Sequence, residues 1–367
     1  MPDESADDRA PGPPAPGRGA RRRGGRRAWR IAAWTAAGLI LLGGSGLGYL
    51  YLRLNGNITG IDINAVLGTD RPRDRDDGSM DVLLLGSDSR SGANAAYGRP
   101  DGPGRSDTAM VLHVNRGHRT ATVVSIPRDT LVDRPACADG RGGTVPAAAG
   151  QMFNTAYEAG GPSCAVKTVE AMSGLRMDHY LEVDFTGFTR LVDTLGGVPV
   201  TLTRAIDDPR SHLRLAAGTH TLDGEQALGL VRTRHGVGDG SDLGRIQLQQ
   251  AFLKALVEKV DGIGLLSDPA KLFEVADAAT SALTTDSDLA SVAKLAGFAG
   301  GLKDIGAGDV TPVTLPVAYD PADPNRVLPL ERQAAAVWSA LKADRPVPAW
   351  ATEGTATGDA GRVLTGP

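Results

Sequence analysis

Three short polar motifs sit at the ends of apolar runs. Residues 81–90 read DVLLLGSDSR, GRSDT at 104–108 leads into AMVLHVN, and TATVVS at 120–125 leads into IPRDT at 126–130. Each places Asp and Arg together beside a strand-like segment, and open α/β sheets keep their ligands at strand ends. That mixture suits a phosphate carrying a divalent metal: carboxylate oxygens hold the metal and guanidinium forks hold the phosphate oxygens. A fourth polar segment, RTRHGVGDGSDLGRIQLQQ at 232–250, holds Arg232, Arg234 and Arg245 around a loop rich in Gly and Asp. Arg245 opens a helix at its anion-favouring end, and Gln249 follows one turn later on the same face. Two readings of these arginines stand side by side: a pyrophosphate clamp, or solvated side chains paired with Asp239 and Asp242.

The elements that must position these groups alternate between the two periodicities. Strands are expected at 81–86, 109–115, 120–126, 179–183, 198–203 and 310–315. Helices are expected at 162–173, 185–195, 223–231, 245–260, 288–300 and 329–342. The alternation argues for one α/β domain over 80–343. Residues 1–27, rich in Pro, Gly, Arg and Asp, read as a disordered cytoplasmic tail. Residues 53–79 read as a juxtamembrane connector and 344–367 as a flexible C-terminal tail.

Residues 31–52 carry no charge, and 22 helical residues span roughly 33 Å, enough to cross a hydrocarbon core. With Trp29 and Trp34 at one end and Tyr49 and Tyr51 at the other, residues 28–52 read as a transmembrane signal anchor. Seven arginines between Arg18 and Arg30 place the N-terminus in the cytoplasm and the long C-terminal part outside. A cleaved signal peptide is the competing reading, but the apolar stretch exceeds an ordinary h-region of roughly 7–15 residues. Of the net charge of −4, residues 1–30 carry +4 and the remainder −8. An acidic exterior domain argues against nucleic acid as a partner. Cys137 and Cys164 are the only cysteines; outside the cell an even count suggests a bridge, with two buried thiols as the alternative.

GSDSR (86–90), GRSDT (104–108), SIPRDT (125–130), FNTAYEAGGP (153–162), VDFTGFTRLVDTLGGVPV (183–200) and RTRHGVGDGSDLGRIQLQQ (232–250) together resemble the LytR-CpsA-Psr family, in order over about residues 80–260. The resemblance implies a three-layer α/β/α sandwich with a central mixed sheet, preceded by one transmembrane helix. It implies a Mg²⁺-dependent (or Mn²⁺-dependent) phosphotransferase at the cell membrane. The donor would be a glycan linked through pyrophosphate to a polyprenyl carrier, the acceptor a peptidoglycan hydroxyl, and polyprenyl phosphate would be released. Position by position it implies Asp88 and Asp107 as metal ligands, with Asp101 competing with Asp88. Asp107, Arg105 and Arg128 would be the catalytic group. Arg90, Arg128, Arg232, Arg234, Arg245 and Gln249 would contact the pyrophosphate.

The chemistry agrees with these roles independently. A pyrophosphate carries about three negative charges, so attack by a neutral hydroxyl needs that charge spread onto a cation and fixed guanidiniums. A membrane-anchored polyprenyl-pyrophosphate hydrolase and a non-catalytic lipid-pyrophosphate-binding module would use the same groups. The six histidines lack paired metal-ligand spacing, so zinc is not expected. Phe185, Phe188, Leu191, Val192 and Leu195 recur at helical spacing and would line either a lipid groove or the core.

Overall fold

The longest aliphatic runs form the middle of one sheet. The computed structural model describes residues 48–87, 106–139, 142–234, 237, 240–264, 267–356 and 363–365. Seven strands, β1 (Thr59–Ile61), β2 (Met80–Ser87), β3 (Ser106–Val114), β4 (Ala121–Ile126), β5 (His179–Asp184), β6 (Leu283–Asp286) and β7 (Val310–Thr314), lie in the order β1-β6-β5-β2-β3-β4-β7. The sheet is mixed: β2–β5, β4–β7 and β1–β6 pair in parallel, while β2–β3, β3–β4 and β5–β6 are antiparallel. Opposed residues such as Leu83 and Val111, then Val111 and Val124, set the register. A slip of one residue would turn these side chains to the wrong face.

Helices cover both faces. Leu83, Leu85, Val111, Val124 and Ile126 join one buried cluster with Val166 and Val169 of α1 (Asn154–Ser173) and with Val337 and Leu341 near the chain's C-terminus. Residues of the opposite alternation meet α4 (Asp242–Gly262): Gln250 donates to Ser125 Oγ at 3.0 Å and Gln249 to Thr108 Oγ1 at 2.9 Å. Further helices are α2 (Phe185–Thr194), α3 (Gly224–Arg232), α5 (Pro269–Ala282), α6 (Val292–Leu302) and α7 (Glu331–Lys342), and a five-residue helix, Ile63–Leu67, follows β1. A second cluster joins Val192 of α2 and Leu230 of α3 to Leu248 and Phe252 of α4, against the strand Val198–Leu202. Phe188 packs on Phe252 with ring centroids 5.7 Å apart. The apolar stripe of α2 therefore belongs to the core.

Several segments differ from the sequence expectation. Helix α1 begins eight residues early, at Asn154, and kinks at Gly160 and Gly161 before Pro162 restarts it. Gly161 has φ +66°, and a Cβ on Gly160 would lie 2.3 Å from the Ala138 carbonyl oxygen, so a side chain at either position would strain the turn. That turn sits over the Cys137–Cys164 disulfide, whose Cα atoms are 5.3 Å apart. Residues within 53–79 are integrated into the fold: β1 extends the sheet, and the Arg71 guanidinium pairs with Glu170 of α1 at 2.5 Å, both side chains 2% exposed. Beyond α7, Ala351 and Val363 are buried and Leu364 pairs with Leu202. α5 and β6 were not expected, although Asp268 and Pro269 give α5 an ordinary cap and first residue.

The expected membrane span lies outside the described residues except for its last five; among the described residues no helix is long and apolar enough to cross a membrane. Residues 48–51 belong to a first unit of the chain, ending at Tyr51, and are helical.

Candidate active site

The antiparallel pairing of β3 with β4 brings the first residues of one strand to the last of the other, since Ala109 opposes Ile126. Asp107, in the first residues of β3, and Arg128, just past β4, consequently meet at the same end of the sheet. The Arg128 Nη1 donates to Asp107 Oδ1. α4 points its N-terminus at that end. Arg245, in the first turn of α4 and almost wholly buried, donates from Nη2 to the Asp107 backbone carbonyl at 2.7 Å. Arg234 follows the end of α3, its backbone N–H held by Asp208 Oδ2 at 3.0 Å.

Asp242 organises this cluster. Its Oδ2 accepts the Arg128 backbone N–H at 3.1 Å. Its Oδ1 forms an ion pair with Arg245 Nη2 at 2.5 Å and accepts from Arg234 Nη2 at 3.3 Å. The sequence alone marks Asp242 only as a surface partner of these arginines. Its readable signal was the first-turn position three residues before Arg245, a spacing that faces the two together. Asp129, inside the IPRDT motif, carries no role in the sequence reading; its carboxylate lies 3.7 Å from Arg128 Nε.

Asp107, Arg128, Arg232, Arg234 and Arg245 line one cavity of about 220 Å³, together with Asp208, Arg210 and Ser211. Arg234 and Arg245 pair with Asp242, as in the ion-pair reading, and Arg232, Arg234 and Arg245 all border this cavity. Arg232 sits at its edge with Cζ 4.9 Å from the Phe185 ring centroid, a cation–π contact that braces the guanidinium. Gln249 bonds instead to Thr108 Oγ1 and, at 3.0 Å, to the Val231 carbonyl; it holds α3, α4 and β3 together. Asp88, Arg90, Asp101 and Arg105 lie outside the described residues.

The electrostatics favour an anion. Burial alone would raise the Asp107 carboxyl, but Arg245, Arg128 and Arg234 outweigh it and hold it below the usual carboxylate range. Burial and the like charges of Arg245 and Arg128 lower Arg234 to about 10, which leaves it cationic at neutral pH. Burial opposes the charge on Arg128 too, but Asp107, Asp242 and Asp129 raise it. The Nε atoms of Arg128 and Arg245 are buried with no hydrogen-bond partner among the described residues. Unsatisfied buried donors of this kind are costly. Asp107 Oδ2 accepts no hydrogen bond among the described residues, and no group of three or more His, Cys, Asp or Glu there is placed to hold a metal.

The architecture and the sequence both have relatives. Cell wall biosynthesis protein LcpA of Corynebacterium glutamicum is 34% identical over 302 residues, covering 74% of this chain and 57% of LcpA. Polyisoprenyl-teichoic acid–peptidoglycan teichoic acid transferase TagT of Bacillus subtilis is 34% identical over 232 residues, covering 60% of this chain and 66% of TagT. The chain thus spans between half and two thirds of these curated relatives. A solved structure of TagT bound to LI-WTA matches with a TM-score of 0.55 at 27% identity, covering 77% of this chain and 98% of that one. The LytR-Csp2A-Psr enzyme from Actinomyces oris, at 22% identity and a TM-score of 0.57, shares the fold over 77% of this chain and 95% of its own. The LytR_cpsA_psr family model matches residues 50–343, and the chain belongs to that family.

Proposed function

We propose that this protein transfers a glycopolymer phosphate from a polyprenyl-pyrophosphate carrier to a peptidoglycan hydroxyl and releases polyprenyl phosphate. The observation that carries this reading is the convergence of Arg128, Arg232, Arg234 and Arg245 on one cavity beside Asp107. These come from the end of β4, the end of α3 and the start of α4, so the charge is assembled by the fold. Planar guanidiniums match phosphate oxygens two at a time. Preorganised charge of that sign stabilises the added negative charge of a phosphoryl-transfer transition state. The name of TagT, and its structure with LI-WTA, support a cell-wall polymer as the donor.

Asp107 suits a divalent cation, because its neighbours keep it ionised and one of its oxygens is uncommitted. In this reading Asp88 and Asp107 hold Mg²⁺ or Mn²⁺, which would neutralise charge on the pyrophosphate oxygens. The anchor at 28–52 would keep the domain outside the membrane beside its lipid-linked donor. The disulfide agrees with an oxidising exterior.

The test uses the full chain in detergent with Mg²⁺, a polyprenyl-pyrophosphate-linked oligosaccharide and a peptidoglycan oligomer, read by mass spectrometry. Oligosaccharide phosphate joined to the oligomer, with polyprenyl phosphate released, is the expected result. Free oligosaccharide phosphate alone would show a hydrolase. Intact donor retained on the protein would show a binding module.

A further inference from the structure

A second, larger cleft of about 540 Å³ adjoins the arginine cavity, and Arg128 and Arg234 line both. Its other walls are Asp129, the start of α4 and the hairpin that joins Val317–Tyr319 to Val327–Pro329. The hairpin is pinned to the segment after β4: Val327 N–H donates to the Asp129 carbonyl at 3.3 Å, and Val327 bridges Thr130. Tyr319, Asn325 and Arg326 line the cleft together with Asp129; within the hairpin the Asn325 amide donates to Asp323 at 3.0 Å and the Arg326 guanidinium pairs with the same carboxylate. An aromatic ring, an amide and a guanidinium in a polar cleft of this size suit a polyhydroxylated sugar.

The carboxylates divide by role. Asp107 and Asp242 each accept hydrogen bonds from the arginines. The Asp129 carboxylate accepts none among the described residues, is about one fifth exposed, and lines only the larger cleft. In phosphoryl transfer the attacking and leaving oxygens stand roughly in line through phosphorus. Two cavities sharing a guanidinium wall provide separate places for donor and acceptor.

We propose that this cleft is the acceptor subsite and that Asp129 removes the proton from the attacking sugar hydroxyl. This rests on the transferase reading above. The hydroxyl oxygen forms a bond to the glycan-linked phosphorus as its proton passes to Asp129 Oδ. The bond from that phosphorus to the bridging oxygen breaks, and polyprenyl phosphate leaves with the electron pair. Burial, then the charge of Asp242, raises the Asp129 carboxyl against the opposing pull of Arg128, Arg234 and Arg245, which makes it a better base. Arg326, on the hairpin, is the further charged group lining the cleft.

The experiment compares wild type, Asp129→Asn and Asn325→Ala in the full chain with the same donor, peptidoglycan oligomer and Mg²⁺. Donor affinity, transfer rate against pH and acceptor KM are measured. For Asp129→Asn we expect donor Kd within about twofold of wild type and transfer slowed roughly 10²–10⁴-fold. The acid-side fall in wild-type rate should disappear. For Asn325→Ala, in the exposed hairpin, acceptor KM should rise severalfold at constant donor Kd. Transfer by Asp129→Asn at the wild-type rate, loss of its donor affinity, or an unchanged acceptor KM in Asn325→Ala would each overturn the proposal. Wild type that cleaves or binds donor without transfer would instead overturn the transferase reading, and this subsite with it.

Discussion

Asp242, the first residue of α4, holds the backbone N–H of Arg128 at 3.1 Å, so the start of one helix fixes the end of a strand more than a hundred residues earlier. The same carboxylate accepts from Arg234 and pairs with Arg245. Three guanidiniums repel one another at this range, and a nearly buried carboxylate between them makes the arrangement tolerable. Asp242 is thereby a structural anion in a site built to receive another.

Removing that anion should destabilise the protein. Replacing one partner of a buried ion pair leaves uncompensated charge and costs roughly 3–5 kcal/mol. Asp242→Ala should lower the unfolding free energy by about 3 kcal/mol. Urea denaturation followed by circular dichroism measures it, and an unchanged midpoint would refute the role.

Arg128 should matter for chemistry more than for folding. Its side chain is about one fifth exposed and lines both cavities. Arg128→Ala should reduce transfer by roughly 10²–10³-fold, as for loss of one preorganised donor, with far-ultraviolet circular dichroism unchanged. Arg128→Lys should recover little, because an ammonium lacks the planar fork.

Stability should fall on the alkaline side through His113. This buried residue of β3 meets Asp81 at 2.8 Å through Nδ1 and Asp344 at 3.2 Å through Nε2. Burial opposes its protonation, but Asp81 and then Asp344 outweigh burial and raise its pKa above the ordinary value. A raised folded pKa stabilises fully below the unfolded value of about 6.5 and is lost as pH rises through the folded one. Asp344 moves the other way. Burial would raise it, but Arg116 and His113 lower it, so its contribution is lost only in acid. The stability gap between wild type and His113→Gln should therefore be widest between the Asp344 and His113 titrations and narrow above pH about 6.5. Thermal melts from pH 4 to 9 measure it, and a gap independent of pH would refute it.

The segment before β2 should be required for stability. Arg71 and Glu170 are both 2% exposed, and Arg71 also donates to the Met177 carbonyl at 2.8 Å. Arg71→Ala should cost about 3–5 kcal/mol, read from the urea midpoint. A loss below about 0.5 kcal/mol, typical of surface sites, would make the segment a passive connector.

Much of this protein was legible in its residue order. The apolar runs at 81–86, 109–115 and 120–126 became β2, β3 and β4 within a few residues, because a buried strand needs an unbroken aliphatic run. α3 and α4 followed from helical spacing, and Asp107, Arg128, Arg234 and Arg245 from charged groups at the ends of those elements. Other features depend on partners far away in the chain. β1 is three residues long and gains its strand character only by pairing with β6. Ala351 and Val363 look like tail residues until the core they cover is known. Asp129 and Asp242 are ordinary acids in sequence. The strand order and the direction of α4 made Asp242 the hub of a guanidinium cluster and left Asp129 facing a separate cleft. Local propensity is carried by neighbours in the chain, whereas charge compensation and cavity shape are set by which chain ends the sheet brings together.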